Sequence, residues 1–176
     1  MGAPTIEVYI PATLAMLQRL VTDGSLWPVN GTAFAVTPTL REAYAEGDDD
    51  ELAEVALREA ALASLRLLAA EALDVGDVGA APPPRRAVLA AEVDEVKYRP
   101  DLDDAVVRLG APVAIDQVIA AYVDNADAEP DVTKAIEVID AADLGDEDAE
   151  LAVGDALDHD LAWYANQELP FLLDLL

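Results

Sequence analysis

From Glu51 to Leu73 the chain carries a run that reads as one long helix, and very little of it can face water. Between Val55 and Ala70 its only charges are Arg58, Glu59 and Arg66, which share one arc with Glu51 and Glu54. Leu57, Ala61, Leu65 and Leu68 lie on the opposite side. A helix that is apolar around most of its circumference must be covered from several directions, so the rest of the chain has to supply the layers. The run is expected to be a long buried central helix.

Strands are the obvious covering material. Residues 5–10, Thr-Ile-Glu-Val-Tyr-Ile, alternate and are rich in β-branched and aromatic types; Pro11 is expected to end that strand. Leu14, Leu17, Leu20 and Val21 then recur at helical spacing until Asp23-Gly24. Residues 32–37 read as a second strand. A short helix follows from Thr37 as cap and Pro38 as first helical residue, with Thr39 and Glu42 at capping-box spacing, through Tyr44 to a stop at Gly47. Asp48-Asp49-Asp50-Glu51 caps the long helix and complements its positive end. Residues 74–84, with Gly76, Gly79 and Pro82-Pro83-Pro84, suit a flexible loop.

Further strands are expected at 85–93 and 105–109, joined by a charged connection from Asp94 to Asp104. Ile115 to Val123 fits either helix or strand, with strand preferred for 118–123. Helices are expected over 131–141, 147–157 and 159–169, the last broken by Pro170. These elements describe an α+β chain, a single globular domain over 1–176, in which a mixed sheet of about five strands packs against several helices.

Composition limits the chemistry. The chain has 36 Asp and Glu against 10 Lys and Arg, a net charge of -26, yet 53% of it is hydrophobic, so it has the material to fold inside an acidic shell. Such a field repels nucleic acid phosphates and anionic membranes and attracts basic protein surfaces. There is no cysteine, which fits a reducing cytoplasm and removes disulfides, thiolate metal sites and cysteine nucleophiles. Neither a leader-like start nor an apolar run of about 20 residues is present, so no membrane association is expected. With one histidine, His159, and only Ser25 and Ser64 as serines, two-histidine zinc sites and a serine triad find no support. Phosphate-loop and dinucleotide glycine motifs are absent from the sequence. No catalytic residue, metal or cofactor is assigned.

Some positions still stand out. Asp146 to Glu150 leads into Asp155, Asp158, His159 and Asp160, and Asp155 and His159 would share a face if one helix held both. Capping and solvation account for these acids more simply than a hard-cation site. Trp163 and Tyr164 beside Asn166, Gln167 and Glu168 suit a recognition surface, the plainer reading being packing and end-capping. Arg41 and Tyr44 form a second candidate pair. Arg85, Arg86, Lys97, Arg99 and Arg108 make up half of the cations, and pairing with nearby carboxylates is expected for them.

The blocks Val8-Tyr9-Ile10-Pro11-Ala12-Thr13-Leu14, Ala33 to Pro38 with Glu46-Gly47-Asp48, Gly145 to Glu150, and Trp163-Tyr164 with Gln167-Glu168-Leu169-Pro170 resemble an uncharacterised family of actinobacterial, mycobacterial-type proteins. The resemblance spans essentially the whole chain and implies no activity or site residue. It favours biased coding composition over salt adaptation as the origin of the Arg excess over Lys. Two functions follow from the residues. One is a non-enzymatic interaction or regulatory protein of the cytosol that docks on a basic protein surface. The other is a small-molecule binding protein or enzyme with a pocket between 37–46 and 159–169.

Overall fold

A computed structural model describes residues 5–44, 46–74 and 82–175 of the protein. In chain order the elements are β1 (Ile6–Ala12), α1 (Leu14–Asp23), β2 (Ser25–Leu26), β3 (Thr32–Phe34), α2 (Pro38–Ala43), α3 (Asp49–Asp74), β4 (Ala87–Val93) and β5 (Val96–Tyr98). There follow β6 (Val106–Leu109), β7 (Val113–Ala114), β8 (Val118–Val123), α4 (Glu129–Asp143), α5 (Glu147–Leu157), β9 (Ala162–Ala165) and α6 (Leu169–Asp174). Seven strands form one sheet in the order β5-β6-β3-β1-β4-β8-β9, and β2 and β7 pair as a separate ribbon. Every pairing is antiparallel.

The α+β class therefore holds, but the sheet has seven strands instead of five and is antiparallel instead of mixed. One added strand, β5, lies inside the charged connection from Asp94 to Asp104, where pairing with β6 outweighs the polar sequence. The other, β9, replaces the helix expected over 159–169. Alanines at 162 and 165 favour a helix locally, and the free edge of β8 overrides them. Pro11 does not end β1, which runs on to Ala12 in register with Ala87. The ladder from β1 to β3 holds a single pair, Tyr9–Phe34, so a residue lacking an N–H is accommodated there. Most of the loop expected at 74–84 falls outside the described residues.

Side-chain alternation splits the core about the sheet. Val8, Ile10, Leu89, Ala91, Val107 and Leu109 meet α1, α6 and the β2–β7 ribbon on one face. Tyr9, Phe34, Val88, Ala90 and Val106 meet α2 and the first half of α3 on the other. The second half of α3 turns its Leu65 to Val132, Ala135 and Ile139 of α4 and Val153 of α5. The long helix is central because it contributes to two cores. Its buried Ser64 donates to the Ala12 carbonyl at 2.7 Å and accepts from the Ala87 N–H at 3.0 Å, tying the helix to adjoining ends of β1 and β4.

The caps follow the sequence. Thr13, Thr37 and Asp146 accept from the free N–H groups of Met16, Leu40 and Ala149, and Asp48 accepts from Glu51. Gly24 closes α1 at φ 82°, donating to the Leu20 carbonyl.

One connection shapes the whole sheet. Only Asp94 and Glu95 separate β4 from β5, a step that reaches at most about 11 Å. In the hydrogen-bonded order, however, β5 and β4 are four steps apart, roughly 19 Å across a flat sheet. The sheet must therefore coil until these two strands approach, wrapping the first core and leaving a seam between the start of β1 and the β5–β6 hairpin.

Candidate functional site

The end of the sheet remote from that seam is built on a buried ion pair. Arg86 immediately precedes β4 and Asp124 immediately follows β8, so the register Ala87–Val123 places them side by side. Asp124 is fully buried and Arg86 is 1% exposed. The carboxylate of Asp124 accepts from the Arg86 backbone N–H at 2.8 Å, from Nε at 2.9 Å and from Nη2 at 2.7 Å. Nη2 also donates to the His159 carbonyl at 2.8 Å. A charge pair taken out of water survives only when its donors and acceptors are met, and this one meets them while gripping the segment just ahead of β9.

Neighbouring contacts extend the grip. His159 Nε2 lies 2.7 Å from Asp131 in the first turn of α4. Arg85 binds Glu129 at 2.9 Å and reaches the Asp124 carbonyl with Nη1. Beyond β9, the Asn166 side-chain amide donates to the Ile115 and Val118 carbonyls at 2.6 and 2.7 Å. Glu168 accepts from the Ala165 N–H at 3.0 Å. The strand is thus moored at both ends.

Among the described residues no strand pairs with its outer side. β9 ends the sheet, and its alternation sends the N–H and C=O of Trp163 the same way as the Ala165 N–H that Glu168 caps, away from β8. Trp163 is 57% exposed, opposite Tyr122 on β8. Burial, followed by the charge of Glu7, raises the Tyr122 phenol, and the same two causes push nearby Tyr9 up to about 12. Both are neutral at physiological pH, so the ring that faces Trp163 from β8 carries no charge. Phe171 on α6 adds a second exposed aromatic.

The rim has one sign. After Lys134 the sequence contains no Lys or Arg, and residues 135–176 hold twelve Asp and Glu. Asp158 and Asp160 precede the strand and Glu168 follows it. Asp155 and His159 do not share a helix, because α5 ends at Leu157. Among the described residues no three His, Asp or Glu side chains are grouped to hold a metal ion.

Six of the eight candidates read from the sequence, His159, Trp163, Tyr164, Asn166, Gln167 and Glu168, therefore gather on β9 and its flanks. They divide by role. Trp163 and Gln167 are exposed, Tyr164 packs partly into the first core, and His159, Asn166 and Glu168 hold the strand. Arg41 and Tyr44 lie on and beside α2. There Arg41 pairs with Asp49 at 2.6 Å, and the Thr37 hydroxyl ties the helix to the Asp104 carbonyl just before β6. Four strands lie between β6 and β9 in the sheet order. The Arg86–Asp124 pair was not legible as a site; its only sequence signal was a double arginine at the start of an apolar strand.

The model of a family of unknown function, DUF6912, matches residues 6–173. No curated protein and no solved structure matches the chain.

Proposed function

Since the chain belongs to that family of unknown function, its role has to be argued from its own surface, and we propose that it is a non-enzymatic interaction protein that docks an extended basic segment of a partner along β9. The observation that carries this is an edge strand whose outer side no described strand pairs, with a half-exposed Trp163 and with Asp158, Asp160 and Glu168 as its exposed charged flanks. Main-chain groups on a free edge supply strand-addition hydrogen bonds, and an exposed tryptophan is the side chain best suited to anchor a contact. The rim selects the partner, since Lys and Arg on alternate positions would meet Asp158, Asp160 and Glu168.

Self-pairing through β9 sets carboxylate against carboxylate, so the partner is a different chain. Nucleic acid carries the wrong charge. Among the described residues no helix is long and apolar enough to cross a membrane. The absence of cysteine suits a cytosolic setting.

The test is affinity purification with mass spectrometry at low and at high salt, run in parallel on wild type, Trp163→Ala and Asp160→Lys. A specific partner should be recovered by wild type at low salt, lost as salt rises and depleted by both variants. Identical recovery by all three proteins would overturn the assignment to β9.

A further inference from the structure

At the other edge of the sheet, we infer that the seam groove binds a small organic anion through Lys97 and Arg108. The groove has a volume of about 860 Å³, and its walls include Ile6, Val96, Lys97, Tyr98, Arg108 and Leu109. In a chain with 36 carboxylates a cation readily finds a partner, and Arg41, Arg58, Arg66, Arg85, Arg86 and Arg99 each do. Among the described residues Arg19, Lys97, Arg108 and Lys134 form no ion pair, and of these Lys97 and Arg108 line the groove.

Their placement sharpens the point. Lys97 and Arg108 are register partners on β5 and β6, two like charges set directly opposite each other, an arrangement that weakens a strand pair. On its other side Arg108 faces Thr32, which brings no charge. Among the described residues Arg108 Nε is the buried side-chain polar atom that lacks a hydrogen-bond partner. The groove's own carboxylates, Asp94 and Glu95, pair with neither cation, and Asp101 is engaged by both Nε and Nη2 of Arg99.

An oxyanion resolves the unpaired charge. Its oxygens accept from the guanidinium of Arg108 and the ammonium of Lys97, and the repulsion between the two cations is cancelled. The volume of the groove falls in the range of roughly 300–1,000 Å³ usual for small-molecule sites. The field of the whole molecule excludes polyanions, whereas one or two charges are tolerated because salt screens the distant carboxylates within about 8 Å. The ligand class is a small molecule with one phosphate or carboxylate head.

Isothermal titration of the full chain with phenyl phosphate, phenylacetate, inorganic phosphate and benzyl alcohol tests this. One of the two headed aromatic probes should saturate and shift the Arg108 guanidinium resonances; which one does so identifies the head. Exposed Lys97 can be changed to Gln without disturbing the fold, and Lys97→Gln should weaken binding by about tenfold, as should Arg108→Gln. Absence of saturation by either probe overturns the inference, as does Lys97→Gln binding like wild type or benzyl alcohol binding as well as the anions.

Discussion

At one end of the sheet β5 is drawn toward the end of β4 by a two-residue bend, and the β5–β6 pair carries cations with no carboxylate partner among the described residues; at the other, β9 is moored at both ends, unpaired on its outer side by any described strand and bordered by acids. The hydrogen-bond ladder has the same chemistry at both. What differs is the connection and the charge that each edge inherits. A short link from β4 closes one edge into a groove, and a buried ion pair presents the other as a free strand. The net charge of -26 conceals this division, because nearly all the cations precede β8 and none but Lys134 follows it.

The contrast can be broken most forcefully at Asp124. Replacing it by Ala leaves the Arg86 guanidinium buried without a counter-charge, and a loss of about 3–5 kcal/mol in urea unfolding is expected. Hydrogen exchange should show β9 amides losing protection while those of β5 and β6 keep theirs. Equal loss at both edges would mean that the pair supports the sheet as a whole and not β9 in particular.

Next in size is Trp163→Ala, which should cost about 2 kcal/mol or more in partner affinity. Its stability should change by less than about 0.5 kcal/mol, the usual limit for an exposed position. Stability falling as far as affinity would make Trp163 a packing residue.

Asp146→Ala removes the cap of α5 and should cost about 1 kcal/mol in thermal or urea unfolding, with partner binding unchanged. A loss of binding would extend the acidic rim onto that helix.

The mildest effect lies between the edges. Tyr9 has its phenol raised to about 12 from 10.0, so its contribution to stability is fully present below pH 10 and is lost as pH climbs through 12. Ultraviolet titration of wild type against Tyr9→Phe should show the Tyr9 phenol ionising near pH 12. A Tyr9 phenol ionising near pH 10 would mean that burial and the charge of Glu7 do not act on it in the folded protein.

Much of this architecture was legible because local signals agreed. Thr37-Pro38, Asp146 and Asp23-Gly24 marked helix ends, and the strands at 87–93, 106–109 and 118–123 fell where alternation or apolar runs placed them. The misreadings share one physical origin. Ala162-Trp163-Tyr164-Ala165 and Val96-Lys97-Tyr98 are too short for periodicity to decide, and each becomes a strand only because a partner edge is available. The same gap explains the sites. Trp163 and its neighbours were visible by residue type, whereas the pairing of Lys97 with Arg108 and of Arg86 with Asp124 exists only in register, between residues distant in sequence.

The position of β1 at the middle of the sheet has a consequence in time. Its nearest residue in β4 is Ala87, 75 positions beyond Ala12, so a nascent chain displays an apolar strand long before its main partner has been made. Contacts of that span slow folding, and a topology built on them places the protein in the millisecond-to-second class. Until α3 and β4 emerge, Val8, Ile10 and Ala12 have only α1, β2 and β3 to shield them. For this chain the interval between making the first strand and completing its sheet is the period of greatest exposure to aggregation.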